Sequence, residues 1–133
     1  MATEMIIGFP GNKKVSAEFD GFKLMTDQPK DSGGDGSAPA PFDLFLASIG
    51  TCAGIFVLSF CQKRSLPTDG LEIVQTMERD EAKHLVTKVR LEIRLPPGFP
   101  EKYRDSLVNA ANLCTVKRHL HEPPQFEVVT KTR

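Results

Sequence analysis

Residues 44–61 read Leu44-Phe45-Leu46-Ala47-Ser48-Ile49-Gly50-Thr51-Cys52-Ala53-Gly54-Ile55-Phe56-Val57-Leu58-Ser59-Phe60-Cys61, eighteen positions without a charge. A run of that length is where a membrane span first comes into question. Ser48, Thr51 and Ser59 lower its hydropathy, and its flanks carry the marks of an ordinary helix. Pro41 suits the first helical position, Asp43 falls in the first turn, and Lys63-Arg64 fall in the last, each matching the helix dipole. Pro67 cannot continue the helix. The stretch therefore predicts a long central helix, buried on nearly all sides in a soluble domain.

Working outward, residues 4–9, 13–19 and 22–26 predict three short strands, parted by Pro10-Gly11-Asn12 and by Asp20-Gly21, a strong tight-turn pair. Residues 27–40 are rich in Gly, Ser, Asp and Pro and predict a loop. After the helix, Leu71 to Glu78 alternates. So does Lys88 to Leu95, with Lys88, Arg90, Glu92 and Arg94 on one face and Val89, Leu91, Ile93 and Leu95 on the other. Strict alternation predicts an antiparallel hairpin with one wet face. Pro100 to about Leu113 predicts an amphipathic helix with Tyr103, Leu107, Ala110 and Ala111 inward. Residues 114–121 predict a short helical turn, and Phe126 to Val129 a last strand. The element order is that of an α+β fold, and residues 1–133 read as a single domain.

Composition excludes several function classes. The 17 Lys and Arg balance the 17 Asp and Glu, and the signs also balance within each half of the chain. A nucleic-acid binder needs a clustered basic surface, so no nucleic-acid partner is expected. The same balance gives no polybasic membrane anchor. Three cysteines do not make a secreted disulfide scaffold. The first apolar run, Met5-Ile6-Ile7, is too short for a signal peptide, so a soluble, cytoplasmic protein is expected.

Cysteine dominates the candidate chemistry. Cys52 lies mid-helix, and Cys61 points in another direction as a small hydrophobe in the core. Cys114 opens the short helical turn, followed by Thr115-Val116-Lys117-Arg118-His119. Free N–H groups and nearby cations there favour a thiolate, whereas a mid-helix apolar site raises a thiol pKa, so local electrostatics name Cys114 as the more acidic thiol. Zinc would require Cys52, Cys114, His119 and His121 to converge without any C-x-x-C spacing, and no metal or other cofactor is expected. Gly33-Gly34-Asp35-Gly36 lacks the Lys and helix of a phosphate loop. Gly50-Thr51-Cys52-Ala53-Gly54 places small residues on one helix face, which suits close helix–helix packing around Cys52, either within the chain or across a dimer.

Pro41-x-Asp43-Leu44-x-Leu46-Ala47-Ser48-x-Gly50-x-Cys52 resembles the signature helix of the OsmC/Ohr family, the osmotically inducible protein C and organic hydroperoxide resistance proteins. Cys114-Thr115-Val116 resembles that family's second cysteine motif, and the resemblance covers nearly the whole chain. It implies an intertwined homodimer of α+β protomers, with antiparallel sheets packed on the long central helices. It implies a thiol-dependent peroxidase that reduces organic hydroperoxides in oxidative-stress defence. The peroxidatic role would fall on Cys52 and the resolving role on Cys114, with a dithiol reductant restoring the pair.

The sequence departs from the peroxidase pattern at one point. In those members a Glu directly follows the motif's Pro and pairs with an Arg from the N-terminal region. Here Phe42 holds that position, and no Arg precedes Arg64. The acid stands one residue on, at Asp43, rotated by about 100° around the helix. Lys117, Arg118 and Lys23 are the candidate cations. The departure leaves a second reading, a non-peroxidase OsmC-like dimer that binds a small apolar ligand or senses redox state.

Overall fold

Asp20 and Gly21 both adopt positive φ, 49° and 79°, the pair of left-handed residues that a two-residue hairpin needs to match strand twist. In the computed structural model, which describes residues 3–133, this turn joins β2 (Lys14–Phe19) to β3 (Phe22–Thr26), with Phe19 opposite Phe22. β1 (Ile6–Gly11) pairs antiparallel with β2 through a register shift between Gly8 and Gly11. The three strands form one sheet in the order β1-β2-β3. They belong to the first of two compact units, Met1–Ala47, the second being Ser48–Arg133.

Within the first unit the loop after β3 is organised by Asp27, which is fully buried. Its carboxylate accepts hydrogen bonds from the Ser37 hydroxyl at 2.6 Å, the Ser37 N–H at 3.0 Å and the Gln28 N–H at 2.7 Å. The Ser37 hydroxyl first, then these N–H groups, hold the Asp27 carboxyl far below the usual carboxylate range, although burial opposes them. A single 3₁₀ turn, Lys30–Ser32, closes on Gly33 at φ 90°.

The long helix α1 spans Pro41–Lys63. The Asp43 carboxylate accepts the Ala40 N–H at 3.1 Å, and the Asp43 N–H donates to the Ala40 carbonyl. Asp43 thereby closes the helix start in the manner of a capping box. At the other end Ser65 takes a left-handed φ of 51°. The Leu66 N–H reaches the Cys61 carbonyl at 2.9 Å, and the Ser65 N–H reaches that of Gln62 at 3.2 Å. This is a Schellman closure, with Ser where Gly is usual. The helix therefore stops before Pro67 is reached.

Burial on α1 follows one stripe, Leu46, Ile49, Ala53, Val57 and Cys61, the i, i+3, i+4 spacing of an amphipathic helix. Within the chain it is not buried on nearly all sides: Phe42, Phe45 and Ile55 are exposed. The second unit is built on that stripe. Ala53, Val57 and Cys61 share a core with Phe99, Leu107 and Ala111, flanked by Ile73, Leu91, Ile93 and Tyr103. Gly50 and Gly54 face β4 (Glu72–Asp80), not another helix. A Cβ at Gly50 would collide with Gln75 Oε1, and one at Gly54 would lie 3.9 Å from Ile73 Cδ1. The small-residue motif thus serves helix–strand packing.

β4 pairs antiparallel with β5 (Leu85–Arg94), Ile73 opposite Ile93 and Gln75 opposite Leu91. Val89, Leu91 and Ile93 are half-buried and Lys88, Arg90 and Arg94 exposed, as the alternation requires, while Glu92, expected on the wet face, is half-buried as well. The predicted helix from Pro100 divides into a 3₁₀ turn at Glu101–Tyr103 and α2 (Arg104–Ala111), with Leu107, Ala110 and Ala111 inward. α3 (Thr115–His121) follows. The last strand does not form. Residues 126–129 pair with nothing in either sheet, and Phe126 and Val128 stand open to solvent. Alternation supplies a pattern, but a strand also needs a ladder partner.

The Asp27 network makes a pH-dependent contribution to stability. A depressed folded-state pKa stabilises above the unfolded value, near 3.8, and the contribution is lost as pH falls through the depressed value. Asp27→Asn is expected to lower the urea midpoint at pH 7. The gap to the parent protein should narrow steadily as unfolding is repeated below about pH 4.

Candidate functional site

Cysteine chemistry depends on what surrounds each sulfur. All three thiols are free. Cys61 is fully buried among Val57, Phe99 and Leu107 in the core. Burial pushes its thiol up, more than the nearby Arg64 charge pulls it down. Cys61 therefore stands apart as a packed, inert side chain.

Cys52 and Cys114 come together. Cys52 is half-buried on α1, and Cys114 is fully buried at the residue that precedes α3. The backbone of Cys114 is extended, φ −51° and ψ 124°, and its side chain makes no capping bond to α3. Its thiol instead donates to the Ile49 carbonyl on α1 at 3.9 Å. That turn of chain carries the start of α3 to the sulfur of Cys52.

Burial is the largest single influence on the Cys52 thiol and would raise its pKa. Hydrogen bonds outweigh it. Polar groups at the start of α3, the Val116 N–H first, then the Cys114 thiol and the Thr115 N–H and hydroxyl, favour the thiolate, and the net effect lowers the pKa from its ordinary value. The expectation that a mid-helix apolar site raises the Cys52 thiol is corrected here: the start of α3 lies against that sulfur and offsets its burial.

Two of the three candidate cations are engaged elsewhere. Lys117 Nζ donates to Asn112 Oδ1 at 2.7 Å, and Lys23 pairs with Glu18 at 3.4 Å. Asp43 closes the start of α1. His119 Nδ1 lies 2.7 Å from the Thr115 carbonyl. Among the described residues no three His, Cys, Asp or Glu side chains gather into a metal-binding group. Sequence reasoning missed Thr115 and Val116 as partners of Cys52. The Cys-Thr-Val start of a helical turn was the available signal, but local reasoning assigns its N–H groups to the adjacent thiol.

Beside this site, still within the second unit, lies an apolar cavity of about 380 Å³. Ile49, Val89, Leu91, Ile93 and Leu120 line it, with Asn112 and Lys117 as its polar members. Ile49 joins the two features, since its side chain lines the cavity and its carbonyl accepts the Cys114 thiol.

A family model described as OsmC-like protein matches residues 34–129. Solved structures share the fold. One, from Psychrobacter arcticus 273-4 and named for osmotic stress induction and detoxification response, is 23% identical with a TM-score of 0.70, covering 87% of this chain and 86% of its own. An OsmC-like protein of unknown function from Vibrio cholerae is 15% identical with a TM-score of 0.63, covering 86% and 90%. An organic hydroperoxide resistance protein OsmC from Legionella pneumophila is 19% identical with a TM-score of 0.50, covering 88% of each chain. At these identities the likeness is one of fold. No curated protein matches the chain.

The contrasting environments of the thiols predict distinct pH profiles. Iodoacetamide labelling resolved by peptide mass should modify Cys52 with a midpoint below that of a free thiol. Cys61 should resist at every pH at which the fold persists.

Proposed function

The chain belongs to the OsmC-like protein family, and from that premise we propose that it is a thiol-dependent peroxidase acting on organic hydroperoxides. The observation that carries this reading is the contact between a half-buried Cys52, lowered in pKa by donors, and a buried Cys114 thiol. The Cys52 thiolate attacks the terminal oxygen of the hydroperoxide. The O–O bond breaks, the alkoxide leaves and takes a proton, and Cys52 becomes a sulfenic acid. The Cys114 sulfur then attacks the Cys52 sulfur, water departs, and a disulfide forms. A dithiol reductant, itself oxidised to a disulfide, returns both thiols. The hydroperoxide resistance neighbour from Legionella pneumophila supports the substrate class by fold likeness.

The cavity favours a second reading, a redox-sensing dimer that holds a small apolar ligand without turnover. Its volume falls in the range of ordinary ligand pockets. Consumption of cumene hydroperoxide with dihydrolipoamide separates the two. Under the peroxidase reading the parent protein turns over and Cys52→Ser does not. Cys114→Ser accumulates a sulfenic acid at Cys52 and closes no intramolecular disulfide. A parent protein that leaves the peroxide untouched while binding an apolar probe would support the second reading.

The functional unit we propose is a homodimer, soluble in the cytoplasm. Phe42, Phe45 and Ile55 on α1 and Phe126 and Val128 beyond α3 are exposed in one chain. Apolar surface on that scale marks an interface. Light scattering at micromolar concentration should return twice the 14.7 kDa chain mass; a monomer would contradict the dimer.

A further inference from the structure

We propose that the cavity beside the thiols binds an aliphatic carboxylate, its chain lying on β5 and its head group held by Lys117. The inference deepens the ligand-binding reading of this cavity and rests on it; it does not require peroxide turnover.

The walls carry the first half of the argument. Val89, Leu91 and Ile93 alternate along β5 and so share one face of the strand. They line the cavity together with Ile49 from α1, Val108 from α2 and Leu120 from α3. Every apolar lining side chain is aliphatic. No aromatic ring offers a stacking surface, and no hydroxyl or carboxylate stands among the lining side chains. Such walls cannot recognise a base or a sugar, but they accept a saturated chain. The cavity volume, about 380 Å³, lies at the small end of ligand pockets. Val108 and Leu120 are half exposed, so the cavity opens to solvent between α2 and α3.

Charge carries the second half. Lys117 is the one charged side chain among the described lining residues, and it is half-buried. A lysine stem often lies along apolar surface with its head in water. Here the head is turned to Asn112, which lines the same cavity. The ammonium has three hydrogens. One goes to Asn112 Oδ1 at 2.7 Å. Among the described residues no carboxylate lies within ion-pair distance of Lys117. Glu92, the acid on β5, is paired with Arg90 and Arg94. Because Oδ1 serves the lysine, the Asn112 NH₂ group is left as a second donor beside it. An ammonium next to an amide NH₂ matches a group with two acceptor oxygens and one negative charge, and charge-assisted hydrogen bonds are the stronger kind. A carboxylate on an aliphatic chain satisfies both ends of the cavity.

Titration of the full chain, methyl-labelled at Ile, Leu and Val, with octanoate reads site and affinity together by NMR. Octanoate should shift the methyls of Ile49, Val89, Leu91 and Ile93 saturably and leave those of Ile6 and Ile7 on β1 unmoved. Octanol has the same chain without the charge. It should bind about fivefold to tenfold more weakly, the effect of a charge-assisted hydrogen bond discounted for a half-exposed lysine. Lys117→Gln should lose that factor for octanoate and nothing for octanol, with its methyl spectrum as the check on folding. Hexanoate should bind about tenfold more weakly than octanoate, since each buried methylene is worth about threefold to fourfold. Octanol binding as tightly as octanoate, or Lys117→Gln keeping the parent affinity, overturns the carboxylate assignment and leaves the ligand-binding reading standing. Cavity methyls that respond to neither probe overturn both. Cavity methyls that shift with protein concentration alone and ignore octanoate mean that a second copy covers the site, and they overturn the inference as well.

Discussion

The stripe Ala53, Val57 and Cys61 on α1 must be removed from water, and the larger unit is assembled around that requirement. Val57 is 1% exposed and Ala53 and Cys61 are fully buried. Burying a side chain the size of valine contributes about 1.5–3 kcal/mol, a large share of a small domain's net stability. Leu107 and Ala111 from α2 and Phe99 from the preceding loop close over the stripe, and Ile73, Leu91 and Ile93 from the hairpin floor it. Gly50 lets the Gln75 side chain approach the helix backbone. Glycine lowers intrinsic helix stability by ~1 kcal/mol, and that contact is the structural return. Edge-on packing of Phe60 against Tyr103, with Arg64 lying 3.7 Å over the Phe60 ring, completes the C-terminal end of the helix.

Because α2 packs on α1, the chain leaving α2 is delivered beside Ile49 and Cys52. Cys114 anchors it through the Ile49 carbonyl. The consequence is electrostatic. A sulfur that receives several hydrogen bonds is stabilised as thiolate without a neighbouring cation. Backbone donors are held by the helix itself and need little rearrangement when charge appears. A lysine or arginine would add charge, but would also pay side-chain entropy to be held in place. Cys61, nine positions along the same helix, receives no such donors and stays a core residue. The difference between the two thiols thus lies in which loop meets each face of α1.

Much of this architecture was legible from local pattern. The alternation in β5, the Asp20-Gly21 turn, Pro41 at the start of α1 and the inward face of α2 are all dictated by interactions within a few residues. The errors have a common cause. Phe126 to Val129 alternates like a strand but finds no ladder within the chain. The Gly50 and Gly54 motif suits a facing helix, and within the chain a strand faces it instead.

The sequence by itself determined the order of elements as far as α3, the length of α1, the faces of the hairpin, and the three thiols from which any cysteine chemistry is drawn. Those properties follow from side-chain period, turn residues and capping, which act over one or two turns of chain. Only the tertiary structure decided which thiol lies against the start of α3. Cys52 is separated along the chain from Thr115 and Val116 by the whole β4–β5 hairpin and α2. No local rule places the start of α3 beside a distant sulfur. Its position is set by where α2 ends and how Cys114 turns onto the Ile49 carbonyl, and a hydrogen bond weakens steeply outside a narrow range of distance and angle.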